Sequence, residues 1–241
     1  QGGDLLFASA QMSTGIWMLP LNANQGKATG DLRQLTRGTA FHGQPSVALD
    51  GSRAVYFSTA SGNMDIWVMD VATGKEWPVT TTPAGENAPL ISADGNTVLY
   101  SLYGKREAYL VTSQGGETTK ICDDCGTWNM SHDATTLLYW FSTAKPVVSI
   151  GAFHLPTGKK LDLISHPSYS LYQPQFSPDD RFLAFLAQTG QGRSRIYVAR
   201  FKGMQPIETS EWIPITDGKL SDDKPRWSPD GNLMYLTSNR D

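Results

Sequence analysis

The chain has 241 residues, 39% of them hydrophobic and 18% charged, with a formal charge of −3. That much apolar material can bury a core, which excludes a disordered chain, and the absence of a Lys/Arg block argues against a nucleic-acid binder. No apolar run approaches the ~18 residues needed to span a membrane, and Gln1-Gly-Gly-Asp4 is not a signal peptide.

In chain order, one phrase recurs: Pro-x-x-Ser-x-Asp-Gly, followed by an apolar strand ending in an aromatic. It occurs as Pro45–Gly51 leading to Ala54-Val-Tyr-Phe57, and again as Pro89–Gly95 leading to Val98-Leu-Tyr100. A degraded copy, Trp128–Ala134, leads to Leu137-Leu-Tyr139. The fourth copy, Gln173–Asp180, carries Asp180 in place of the turn glycine, and the fifth is Pro225–Gly231 leading to Leu233-Met-Tyr235. The turn aspartates are Asp50, Asp94, Asp133, Asp179 and Asp230, a period of 39 to 51 residues. Repeats of that length signify propeller blades or similar arrays.

A second phrase follows in the first four units: Asp65-Ile-Trp-Val-Met69, Glu107-Ala-Tyr-Leu-Val111, Ile150-Gly-Ala-Phe-His154 and Arg195-Ile-Tyr-Val-Ala199. A third closes each unit, as in Trp77-Pro-Val-Thr80 and Trp212-Ile-Pro-Ile-Thr216, with Thr-Gly turns between at Thr73-Gly74 and Thr157-Gly158. Each unit therefore predicts four short antiparallel strands rich in β-branched and aromatic residues, with no helical period. One such sheet cannot bury both faces, so the units pack face to face around an axis as a β-propeller. Most of the aromatics are expected to fill the space between blades.

The fold expected is all-β, a β-propeller of four-stranded antiparallel blades. Complete blades are expected at residues 44–80, 87–122, 127–164 and 173–216, with partial blades at 4–36 and 224–241. Leu5-Leu-Phe-Ala-Ser9 and Leu233-Met-Tyr235 both read as second strands. The expectation is six blades with incomplete first and last members, in a single domain taken from a longer parent chain. Incomplete blades expose sheet edges, so an edge-strand dimer is an expectation as well.

With Ser-Pro-Asp-Gly turns, aromatic-ended second strands, Ile-Trp/Tyr-Val third strands and a terminal Leu-Thr, the repeats resemble the WD-like propeller repeats of the TolB type. They are also similar to those in prolyl oligopeptidase-like proteins. The resemblance covers nearly the whole chain and implies a bacterial, periplasmic, non-catalytic binding module; such propellers also serve as accessory sensor domains of larger regulators and kinases. The fold is reused by unrelated activities, so function must be argued from the site.

Cys122-Asp-Asp-Cys125 could be a local disulfide, a redox pair or half of a zinc site. Zinc needs two more N/S ligands, and no second Cys-x-x-Cys occurs among four scattered histidines. A redox pair usually opens a helix, and two adjacent aspartates raise thiol pKa values. A structural pair is the favoured expectation. No Gly-x-Ser-x-Gly elbow, His-Glu-x-x-His or P-loop is present, so no catalytic residue, metal or cofactor is assigned.

In propellers, the loop joining one blade's outer strand to the next inner strand reaches the central opening. Those loops and their exits carry the candidate ligand or partner residues His42, Asn87, Trp128, His166, Tyr169, Tyr172 and Lys224. The expected role is to present this face to a protein or small ligand. The rival reading is a hydrolase or lyase using His42 and His166 with Asp or Glu partners.

Overall fold

The computed structural model describes residues 13–142, 147–190 and 192–240. The second strand expected at Leu5–Ser9 lies outside the described residues. Near the N-terminus, β1 (Trp17–Met18), β2 (Leu21–Asn22), β3 (Lys27–Ala28) and β4 (Arg33–Gln34) form two short ladders, β1 with β4 and β2 with β3. Blade I follows as β5 (His42–Val47), β6 (Arg53–Ser58), β7 (Asp65–Asp70) and β8 (Glu76–Pro78). Blade II is β9 (Glu86–Ile91), β10 (Thr97–Leu102), β11 (Glu107–Thr112) and β12 (Thr119–Asp123). Blade III is β13 (Gly126–Met130), β14 (Thr136–Ser142), β15 (Val148–His154) and β16 (Lys159–Ile164). Blade IV is β17 (Ser170–Phe176), β18 (Phe182–Gly190), β19 (Arg193–Arg200) and β20 (Ile213–Pro214). The chain ends in the pair β21 (Asp222–Trp227) and β22 (Met234–Ser238). Every ladder is antiparallel, so this is an all-β propeller of four-stranded blades, four of them complete among the described residues.

The repeated Ser-x-Asp phrase is a hydrogen-bonded turn. In blade IV the Ser177 hydroxyl donates to Asp179 (2.6 Å), the Arg181 N–H donates to the same carboxylate (3.2 Å), and the Phe182 N–H donates back to Ser177 Oγ (2.9 Å). The same three bonds recur around Asp94, Asp133 and Asp230. This is an Asx-type turn reinforced by a serine, and it sets the register of the first two strands. The terminal threonine of the repeat is equally specific. Thr36, Thr80 and Thr216 are buried, and their hydroxyls accept the N–H groups of Ile16, Ile66 and Ile196.

The core lies between blades. Val55, Ile66, Val79, Val98 and Tyr100 fill the space between blades I and II, and Leu138, Ile150, Leu171, Leu183 and Phe185 that between III and IV. Fully burying side chains of this size contributes about 1.5–3 kcal/mol each. Tyr139 is buried and lies directly over its register partner Gly151, where an added Cβ would sit 2.3 Å from the ring. Only glycine fits beneath that tyrosine.

The β2–β3 hairpin meets the last sheet. The Asp230 N–H donates to Asn24 Oδ1 (3.1 Å), and the Tyr235 hydroxyl donates to the Ala23 carbonyl (2.5 Å). The β2–β3 hairpin is thus held against the last sheet by partners more than 200 residues away in the chain.

Candidate functional site

Four of the five inner strands, β5, β9, β17 and β21, have a register break at their proline, and the residue ahead of the proline takes a left-handed backbone: Gln44, Ala88, Gln173 and Lys224 have φ between 49° and 55°. L-residues adopt this region at a cost, so the kink must be held by its surroundings. Neighbouring blades supply the hold. The Ala88 N–H donates to Gln44 Oε1 (2.7 Å), and the Lys224 N–H donates to Gln173 Oε1 (2.9 Å). Between blades III and IV, the Phe176 N–H donates to Asn129 Oδ1 (3.0 Å). These bonds tie the inner strands of blades I and II, of blades III and IV, and of blade IV and the last sheet to one another.

The second-to-third strand hairpins and the loops entering each inner strand share one face. There, between blade IV and the last sheet, Tyr172, Gln173, Gln188, Arg193, Ser194 and Asp223 line a cleft of ≈ 280 Å³. Trp128 of blade III packs edge-on against Tyr172, with ring centroids 5.9 Å apart. The cleft combines an aromatic wall, a guanidinium, a carboxylate and several amide and hydroxyl groups. That chemistry suits a polar or peptide-like ligand held by hydrogen bonds. On the opposite face, Pro178, Phe182, Trp227 and Pro229 line a groove of ≈ 480 Å³ beside the Ser-Pro-Asp turns of Asp179 and Asp230.

The candidate residues divide between these surroundings. Trp128 and Tyr172 come together, and Lys224 follows Asp223 at the cleft, exposed. His166 and Tyr169 form a separate cluster, their rings stacked at 3.9 Å and His166 tilted against Trp212 at 5.8 Å. The N–H groups of Ser168 and Tyr169 donate to His166 Nδ1 (3.1 and 2.9 Å), which leaves Nε2 to carry the proton of the neutral ring. Burial pushes the His166 pKa down. His42 is buried, edge-on to Tyr56 at 5.7 Å, so its ring is packed inside blade I and not presented at the mouth. Burial lowers its pKa, opposed by the Glu76 charge and the Arg37 carbonyl. Asn87 is half-buried at the start of β9.

Cys122 and Cys125 are joined as a disulfide, buried between blades II and III. Among the described residues, no group of three or more His, Cys, Asp or Glu side chains gathers as a metal site, and no helix is long and apolar enough to cross a membrane. Sequence reasoning missed Gln188, Arg193 and Asp223. The signal available was the connection between the second and third strands of blade IV, which must lie on the same face as the loop carrying Tyr172.

Fold and cleft together define a β-propeller with TolB-like repeats. No protein-family profile matches the chain. TolB of the Tol-Pal system from Francisella tularensis subsp. tularensis (strain WY96-3418) is 23% identical over 203 residues, covering 81% of this chain and 45% of that protein. The uncharacterised peptidase YuxL of Bacillus subtilis (strain 168) is 24% identical over 204 residues, covering 81% of this chain and 29% of YuxL. The chain thus spans less than half the length of these relatives. The solved structure of a TolB-type protein from Agrobacterium tumefaciens superposes with a TM-score of 0.71 at 23% identity, covering 86% of this chain and 73% of that one. The chain is a distant relative of TolB-type propellers, and its neighbours include a peptidase.

Proposed function

We propose that the chain is a non-catalytic binding module that presents one face of a six-bladed propeller to a protein or small ligand, as a TolB-like component outside the cytoplasm. The observation that carries this reading is the cleft between blade IV and the last sheet, where Tyr172, Arg193 and Asp223 converge on strands whose kinks are fixed by interblade hydrogen bonds. A surface set on rigid strands loses little freedom on binding, and a Tyr/Trp/Arg patch is the composition from which interface hot spots are drawn. Six blades follow if the N-terminal ladders and the last sheet belong to adjacent blades pinned through Asn24 and Tyr235. The disulfide fits an oxidising compartment such as the periplasm.

The relatives' name suggests the partner to try first, the Pal component of a Tol-Pal system. Isothermal titration of the chain with Pal is expected to give a saturable 1:1 isotherm, weakened at least tenfold by Tyr172→Ala or Arg193→Ala. Unchanged affinity in both variants would refute the cleft as the binding surface. The rival hydrolase or lyase reading needs a histidine free to act on substrate. His42 is packed under Tyr56, and the Nδ1 atom of His166 is occupied by backbone N–H groups.

A further inference from the structure

Two carboxyl groups are buried at the seam between blades I and II, and among the described residues no basic side chain is paired to either. Asp65 opens β7 and Glu86 opens β9, at 1% and 0% exposure. Three hydroxyls serve three of the four oxygens: Ser61 donates to Asp65 Oδ2, Thr80 to Glu86 Oε2 (3.1 Å) and Thr82 to Glu86 Oε1 (2.5 Å). The fourth, Asp65 Oδ1, is buried with no donor, and the Glu86 carboxyl lies within hydrogen-bonding reach of Asp65.

The fold contains its own comparison. Asp222 opens β21 as Glu86 opens β9, and it too is fully buried. Asp222 pairs in register with Ser238, and two residues further on Arg240 reaches its carboxylate at 3.1 Å. Glu86 pairs with Leu102, and two residues further on stands Gly104. The last sheet neutralises its buried acid with a guanidinium, and blade II has no side chain there to do so. Two uncompensated buried charges are too costly to persist.

We propose that Glu86 holds an exchangeable proton against Asp65 at neutral pH, and that this proton closes blade I onto blade II. The Glu86 acid then donates to Asp65 Oδ1, every oxygen of the pair has a partner, and the seam holds a single negative charge surrounded by hydroxyl donors. Losing the proton sets two carboxylates against each other beneath the Ser61–Asn63 and Thr80–Ala84 loops, on the same face as the cleft. Asn63 Nδ2 ties these loops together by donating to the carbonyls of Thr82 (2.7 Å) and Ala84 (3.1 Å).

The other ionisable groups on the strands packed around Glu86 do not replace that proton. On β5, His42 is buried with Glu76 as its charged neighbour. On β6, Arg53 is bound to Gly95, Asn96 and Ser113 at the far end, and Tyr56 donates to Glu76. On β7, Asp70 accepts from Thr73 at the opposite end of the strand. On β10, Tyr100 is neutral, with burial first and then the Glu86 charge raising its pKa, and β13 carries no ionisable side chain.

Burial and the Asp65 charge push Glu86 from 4.5 up to about 7. The unfolded chain releases this proton near 4.5 and the folded chain near 7, so stability falls as pH rises through that window and is flat above it. His42 and His166 act with the opposite sign, because their lowered pKa values favour folding as pH rises.

The test is urea unfolding at pH 5, 6, 7 and 8 for the wild type, Glu86→Gln and Asp222→Asn. Glu86→Gln keeps an oxygen for one of the two threonines and supplies a permanent N–H to Asp65. It is expected to be at least as stable as the wild type at pH 8 and to lose the downward slope, which in the wild type amounts to roughly a hundredfold in the folding constant. Asp222→Asn is expected to lose stability without changing the slope. A slope that persists in Glu86→Gln overturns the proposal. So does calcium stabilising the wild type at pH 8 but not Glu86→Gln, which would make the pair a cation site. If Glu86→Gln does not fold, the 13C carboxyl shifts of the wild type decide: one glutamate titrating near 7 supports the Glu86 proton, and none titrating above about 5.5 refutes it.

Discussion

His132 in the turn of blade III and Asp180 in the turn of blade IV are partners. Asp180 Oδ1 lies 2.9 Å from His132 Nδ1 and accepts the His132 N–H (3.0 Å), while Oδ2 accepts the Asp133 N–H (3.2 Å). These positions are two of the departures from the repeat. Asp180 holds the left-handed turn conformation (φ 55°) that Gly51, Gly95 and Gly231 adopt without strain, and in exchange it binds the neighbouring turn. Removing either partner is expected to cost about 1–3 kcal/mol, as for hydrogen bonds to charged groups. A double-mutant cycle of His132→Ala and Asp180→Asn, read by urea unfolding, is expected to show a coupling of about 0.5–3 kcal/mol. Strict additivity would contradict the pairing.

The Ser-x-Asp turns impose an acid limit on the fold. Hydrogen bonds from Ser92, Ser177 and Ser228 are the first cause holding Asp94, Asp179 and Asp230 below the usual carboxylate range. A depressed carboxylate contributes stability above its unfolded pKa, near 3.8, and loses it as pH falls through the folded value. The triple variant Ser92→Ala/Ser177→Ala/Ser228→Ala is expected to unfold at a higher pH in an acid titration followed by circular dichroism. An unchanged acid midpoint would refute this account.

Gly151 supports Tyr139. Alanine there would place its Cβ 2.3 Å from the buried ring, so Gly151→Ala is expected to destabilise by about 1–3 kcal/mol. Adding Tyr139→Leu to Gly151→Ala should recover part of the loss relative to the sum of the single variants, a rescue that thermal unfolding would measure.

Thr216→Val tests the terminal threonine. The variant keeps the shape but leaves the Ile196 N–H without its acceptor at a buried position, at a cost of about 1–3 kcal/mol. Amide exchange at Ile196 should accelerate in step.

The blades were legible in the sequence because their information is local. A serine, an aspartate and the following strand lie within six residues of one another, and that turn chemistry repeats. The cleft was not legible, because Tyr172, Arg193 and Asp223 come from three segments joined only by packing of blade IV on the last sheet. His132 and Asp180 read as decay of the repeat for the same reason, since their partnership crosses 48 positions. His42 looked like a loop residue at the mouth, but the first strand of blade I begins at it and turns its ring inward toward Tyr56. Asn24 and Asp230 are 206 positions apart, beyond the reach of any local pattern.

The most direct test of the binding-face claim is hydrogen–deuterium exchange of the chain alone and with Pal. The account predicts new protection at 166–173, 186–194 and 220–224, the segments that build and flank the cleft, with the opposite face unchanged. Protection confined to the Ser-Pro-Asp turn face around Asp179 and Asp230, with none at the cleft, would contradict it.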